Sequence, residues 1–151
     1  MRITKIDSKG LELIKQFEGF SSKPYLDSVG IPTIGYGFTY YPDGKRVTMQ
    51  DYAISEEHAT MLLSEIVKPY EIGVDSMTRD DINQNQFNSL VSFAYNLGLK
   101  SLQGSTLLKK VNANPSDITI KDEFLKWVNA GGKKLKGLVN RRTKEAEVYF
   151  G

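Results

Sequence analysis

Residues 17–37 read Phe-Glu-Gly-Phe-Ser-Ser-Lys-Pro-Tyr-Leu-Asp-Ser-Val-Gly-Ile-Pro-Thr-Ile-Gly-Tyr-Gly, and the rest of the chain is best understood outward from them. Glu18 stands where an amphipathic helix should end. Asp27 follows in a turn-like segment, and Thr33 opens a glycine-punctuated strand. Breaking a glycosidic bond needs two carboxyl groups in different settings: one protonated to serve the leaving oxygen, the other ionised on the opposite face of the sugar. Glu18, at the negative end of a helix dipole and flanked by Phe17 and Phe20, is set to favour its protonated form. Asp27 lies on a polar turn, and the Thr33 hydroxyl can hold a water. Taken singly, each residue has an ordinary structural explanation. Their combination within one helix–hairpin unit is what points to chemistry.

Upstream, Leu11, Leu13, Ile14 and Phe17 recur at helical spacing behind a cap from Asp7 or Ser8, and Gly19 is a natural stop. Downstream, Pro24, Gly30, Pro32, Gly35, Gly37, Pro42 and Gly44 exclude helix. Thr33–Tyr41 reads as a strand, with a turn at Pro42-Asp43-Gly44-Lys45 and a return through Arg46-Val47-Thr48. After Ser55, with Glu56 and Glu57 in a first turn, the helical period returns through Val67, and Pro69 kinks or ends it. Further helices are predicted from Asp80 or Asn83 to Leu97, over Ser105–Val111, over Lys121–Val128 and over Lys136–Tyr149. The class is therefore α+β with segregated elements. One domain, 1–151, is expected. It should hold a small antiparallel β lobe at about 20–54, a larger all-helical lobe from 1–19 and about 70–151, a linking helix at about 55–68, and the active-site cleft between the lobes.

The composition bounds the possibilities. An apolar share of 40% and a charged share of 25% suit a globular protein. Cysteine is absent and His58 is the single histidine, so thiolate metal sites and a convincing serine–histidine triad are excluded. His58 itself reads as a solvated helix residue. No stretch approaches the ~20 apolar residues of a membrane span, and the N-terminus has no signal-peptide core, so membrane insertion is not expected. Net charge is +2, unevenly spread: residues 1–75 hold 8 basic and 11 acidic side chains, residues 76–151 hold 12 and 7. The run Lys133, Lys134, Lys136, Arg141, Arg142, Lys144 reads as a solvated helix face or as an attractor of anionic polymer. It has too few interleaved aromatics for nucleic acid.

The pattern Glu-x8-Asp-x5-Thr followed by Ile-Gly-Tyr-Gly resembles the phage-type lysozymes, the endolysins of glycoside hydrolase family 24, and the lambdoid type most. The likeness continues through Ser92-Phe93-Ala94-Tyr95-Asn96-Leu97-Gly98, through Gly104–Lys109 with Asn112, and through Phe124-x2-Trp127-x2-Ala130-Gly131-Gly132. It ends in Leu135-x-Gly137-Leu138-Val139-x-Arg141-Arg142-x2-Glu145-x3-Tyr149. The resemblance implies an N-acetylmuramidase acting on peptidoglycan, with Glu18 as proton donor, Asp27 as second carboxylate and Thr33 as the hydroxyl. Tyr95, Asn96 and Ser105 would touch substrate, and Arg141 or Lys134 would be the basic partner of the acid. Trp127 could stack on sugar, although its helical spacing from Phe124 suits a core position. No cofactor is expected. The implied enzyme is monomeric, gathers in the host cytoplasm and reaches the wall through a holin-made breach. A non-catalytic wall-binding module is the rival, but a degenerate copy should have lost Glu18 or Asp27.

Overall fold

The computed structural model describes residues 2–151 and divides into two compact units, Ile14–Lys68 and the residues up to Leu13 together with Pro69–Gly151. Helix α1 (Ser8–Glu18) opens the chain. Asp7 caps it, its carboxylate accepting from the Gly10 amide at 3.1 Å, and it stops at Gly19, whose φ of +70° only glycine adopts cheaply.

In the unit Ile14–Lys68, strand β1 (Ser21–Leu26) pairs antiparallel with β2 (Pro32–Gly35), with Tyr25 opposite Thr33 and Leu26 opposite Pro32. The expected long strand to Tyr41 and its return are not regular. After Gly35 the pairing is reduced to two isolated bridges, Ile34 with Phe38 and Tyr40 with Arg46. The cause is local: Gly35 and Gly37 both take left-handed φ, +64° and +80°, and fold Gly35-Tyr36-Gly37 into a tight loop. Ile34 and Phe38 exchange two backbone hydrogen bonds, at 2.9 and 2.8 Å, across that loop. Helix α2 (Glu56–Ile66) follows, with Ser55 accepting from the His58 amide as cap. Ile14, Ile34, Tyr36, Phe38, Val47, Ala59, Leu62, Leu63 and Val67 make this unit's buried apolar set.

In the other unit, α3 (Lys68–Met77) begins just after α2 ends. Pro69 is in its first turn, where a missing N–H costs nothing, so the proline starts a new helix as well as ending the old one. Helix α4 (Gln84–Leu97) carries a full capping box from Asn83 and Gln86. Its residues Phe87, Leu90, Val91, Phe93 and Ala94 are all buried. Short helices α5 (Leu99–Gln103), α6 (Thr106–Ala113) and α7 (Ile120–Phe124) lead to α8 (Lys136–Tyr149), which packs along α4. The predicted helix over Lys121–Val128 thus shrinks to five residues. The lobe is also not all-helical: β3 (Asn129–Ala130) and β4 (Lys133–Lys134) form a ribbon turned by Gly131 and Gly132, both left-handed. Among the described residues no helix is long and apolar enough to cross a membrane.

Candidate active site

Three residues singled out by sequence fall in the unit Ile14–Lys68. Glu18 is the last residue of α1 and is partly exposed. Its carboxyl lies over Gly37, so close that a Cβ built there would be 2.7 Å from Oε1. The Gly35-Tyr36-Gly37 loop is anchored under it. The Tyr36 ring is buried against Phe20 at 5.6 Å and Phe38 at 6.4 Å, with the Lys15 ammonium 5.5 Å from its centroid. Gly35 is required twice, by its φ and because a Cβ would stand 2.7 Å from the Phe38 ring.

Asp27 occupies the turn between β1 and β2. Its Oδ1 accepts from the amides of Val29 and Ile31, both at 2.9 Å, in an Asx turn that fixes the carboxylate plane. Among the described residues Oδ2 takes no hydrogen bond, which leaves one oxygen for a ligand or water. Thr33, only 4% exposed, donates its hydroxyl to the Ile31 carbonyl at 2.8 Å. The Asp27 amide donates to that same carbonyl at 3.0 Å. One backbone oxygen therefore ties Asp27 and Thr33 together. With its own proton committed, Thr33 Oγ1 can only accept from a third group.

The other residues of interest lie in the second unit. Tyr95 packs against Tyr70, ring centroids 5.3 Å apart, near the C-terminal end of α4. Asn96 follows it, and its Oδ1 accepts from Arg142 Nη2. Ser105 is buried as the N-cap of α6: it accepts from the Leu108 amide at 3.0 Å and donates to the Leu102 carbonyl at 2.6 Å. Lys134 is exposed on β4. Trp127 stands edge-on to Phe93 at 5.6 Å, in accord with the core reading. His58 is exposed on the first turn of α2.

The basic run is not one solvated face. Lys133, Lys134, Lys136 and Lys144 are exposed, but Arg141 and Arg142 are buried beside a fully buried Glu145. Arg141 Nε donates to Glu145 Oε2 at 3.3 Å and its Nη2 to the Ser92 carbonyl at 3.2 Å, while Ser92 Oγ donates to Glu145 Oε2 at 2.5 Å. Arg142 Nη1 is 3.2 Å from Glu145 Oε1. Burial pushes the Glu145 carboxyl above its ordinary pKa against the pull of both arginines, and burial lowers that of Arg142. Sequence reasoning missed this cluster. The available signal was Arg-Arg-x-x-Glu at helical spacing, which brings the three side chains close enough to pair.

The hairpin thus ties a carboxylate to a threonine hydroxyl, and a second carboxyl is seated on a glycine loop. The phage lysozyme family model matches residues 15–145, and the chain belongs to that family. It is 42% identical over 147 residues to an endolysin of Bacillus phage B103, covering 96% of this chain and 54% of that protein. It is 37% identical over 146 residues to the endolysin of Salmonella phage P22, covering 97% and 98%. The chain spans about half the length of the Bacillus phage relatives it matches. Among solved structures, the endolysin of Escherichia coli O157:H7 phage FAHEc1 superimposes with a TM-score of 0.88 at 38% identity, covering 96% of this chain and 92% of that one. The α+β fold is thus the phage lysozyme fold.

Proposed function

We propose that this chain is an endolysin that hydrolyses peptidoglycan, cutting the β-1,4 bond between N-acetylmuramic acid and N-acetylglucosamine. The observation that carries the reading is the shared Ile31 carbonyl, which holds Asp27 and Thr33 in one fixed relation. A water that donates one hydrogen to Asp27 Oδ2 and the other to Thr33 Oγ1 keeps a lone pair free for attack. Glu18 gives its proton to the departing glycosidic oxygen as the C1–O bond breaks. Asp27, still ionised at that stage, stabilises the charge on the sugar; the water oxygen then bonds to C1 and its proton passes to Asp27. The chemistry needs no metal or organic cofactor, because both proton transfers are made by side chains. Tyr95, Asn96 and Ser105 would serve substrate binding, and Arg141 or Lys134 would steady the acid; Ser105, already engaged twice as a cap, acts by shaping its helix.

The partner is the glycan strand of the wall, not nucleic acid. The same reading makes the protein a monomer that gathers in the host cytoplasm and depends on a holin-type breach to reach its substrate. Mass spectrometry of fragments released from purified walls tests the reaction. Reducing muramic acid ends are expected; reducing glucosamine ends or anhydro ends would overturn the bond assignment. Glu18→Gln should keep the fold and lose at least ~100-fold in rate, the lower range of a general acid's contribution. A folded variant with more than a tenth of the activity would remove Glu18 from the role.

A further inference from the structure

Arg142 has no solvent exposure, yet one arm of its guanidinium reaches a side chain that does. The group stacks 5.1 Å from the Phe93 ring centroid, sets Nη1 against Glu145 Oε1 at 3.2 Å, and donates from Nη2 to Asn96 Oδ1. Burying a guanidinium is costly and is compensated here by Glu145. Glu145, however, is also bonded by Arg141 and Ser92. Among the described residues the contact to Asn96 is the one hydrogen bond that the Arg142 side chain makes, so it satisfies the buried guanidinium and at the same time fixes the Asn96 amide.

A guanidinium carries only donors, so the amide atom of Asn96 that faces it must be the carbonyl oxygen. That settles which way round the amide stands. Its one acceptor is engaged by Arg142, and among the described residues the Nδ2 hydrogens have no acceptor. Whatever meets Asn96 meets a donor. A group locked this way favours a partner that accepts without donating. A sugar hydroxyl does both, whereas the carbonyl oxygen of an acetamido group only accepts.

We propose that Arg142 is a positioning residue that locks Asn96 as a donor, and that Asn96 recognises the acetamido carbonyl of an N-acetylated amino sugar. This rests on the glycan reading above and deepens it, since it assigns the chemical feature of the glycan that Asn96 selects. A purely structural Arg142, bracing α8 against α4, would move stability without moving any preference between sugars.

The test is titration calorimetry or NMR titration of the full chain with two neutral probes, the β-1,4-linked trimer of N-acetylglucosamine and the β-1,4-linked trimer of glucose. Wild type should prefer the acetylated trimer. Asn96→Asp keeps the acceptor that Arg142 needs and removes the donor, so it should melt no lower than wild type and lose about fivefold of the preference, one hydrogen bond's worth. Arg142→Met, where it folds, should lose part of the preference, and Arg142→Lys, still a donor-only cation, should recover part of that loss. An Asn96→Asp protein with wild-type preference overturns the proposal, as does a wild type that binds neither trimer or shows no preference. Wall hydrolysis by the same samples separates the two readings. Intact hydrolysis with an unchanged preference sinks the Asn96 assignment alone. A preference that is lost as expected, in a protein that releases no muramic acid ends, sinks the muramidase reading and leaves the assignment standing.

Discussion

The carboxyl of Glu18 occupies the space where Gly37 has no side chain: a Cβ on Gly37 would stand 2.7 Å from Glu18 Oε1. The glycine also holds a φ of +80°, closing the loop between the bridged residues Ile34 and Phe38. One residue thus serves two ends, the turn and the seat of the Glu18 carboxyl. Gly35 differs, since its missing Cβ makes room for the Phe38 ring and not for a carboxyl group.

Gly37→Ala separates the two roles when set beside Gly44→Ala. Both glycines are left-handed, so each alanine should cost about 1–2 kcal/mol of backbone strain. That corresponds to roughly 2–8 °C in melting temperature at 2–4 °C per kcal/mol. A Cβ on Gly44 meets nothing within 4 Å. On Gly37 the easiest relief is to swing the flexible Glu18 carboxyl aside. Thermal melts should therefore look alike, while wall-lysis rates fall ~10–100-fold for Gly37→Ala only, the cost of misplacing a reacting group by about 1 Å. Equal rates in the two variants would show that the acid does not depend on this seat.

Much of this could be read from the residues, and the failures have physical causes. The cap at Asp7 or Ser8 and the helix starts at Ser55, at Asp80 or Asn83 and at Ser105 were legible because a short polar side chain before an apolar period has few other uses; Asp7, Ser55, Asn83 and Ser105 prove to be the caps. Strand β1 was not. Its residues Ser-Ser-Lys-Pro-Tyr-Leu show no alternation of burial, Pro24 interrupts the ladder, and the register shifts between Ser21 and Tyr25. Helix α3 was hidden by Pro69, which reads as a stop and is also an acceptable start. Asp27 and Thr33 stood out by their spacing, but the Ile31 carbonyl that joins them is backbone and leaves no mark in side-chain chemistry. Arg141 and Arg142 were misread as part of a solvated run because burial of a charge depends on its partner across α4 and α8, not on its neighbours in sequence.

The exposed lysines that remain, Lys133 and Lys134 on β4 and Lys136 at the start of α8, carry the anionic-polymer reading of the basic run. Lysis should weaken as salt rises through ~0.1 M, where the Debye length is about 10 Å. Replacing the three by glutamine should flatten that dependence and leave the melting temperature within about 2 °C, as surface changes do. Identical salt profiles in variant and wild type would make these lysines plain surface.

Glu123 gives a stability test with a defined sign. It is buried at the end of α7 and accepts from Lys110 at 2.9 Å and Lys126 at 3.0 Å. The Lys110 hydrogen bond, aided by Lys126 and opposed by burial, holds its carboxyl below the usual glutamate range. A depressed folded-state pKa means the unfolded chain takes up a proton first. The contribution is therefore complete above the unfolded value of about 4.3 and fades as pH falls through the lower folded value. Glu123→Gln should melt about 3–6 °C below wild type at pH 7, from ~1.5 kcal/mol for a charged hydrogen bond. The gap should close as pH falls below the unfolded value and through the lower folded one. A gap that is constant with pH would assign the loss to packing.

Thr33 carries the most specific expectation about the reaction. Its hydroxyl proton is committed to Ile31, so Oγ1 acts as an acceptor and a water bound there must direct a hydrogen toward it. Thr33→Val keeps the shape of this buried position and removes that acceptor; it also leaves the Ile31 carbonyl to the Asp27 amide alone. If the water is used chiefly in the transition state, kcat should fall ~10-fold or more while KM stays within about threefold, and Thr33→Ser should restore most of the rate. The same water decides stereochemistry. Delivered from the face opposite the leaving oxygen, it inverts the anomeric carbon, and proton NMR of the first-formed product should show the α-anomer before mutarotation. Fresh β-anomer would mean that Asp27 Oδ2 attacks the sugar itself and that Thr33 serves the hairpin alone.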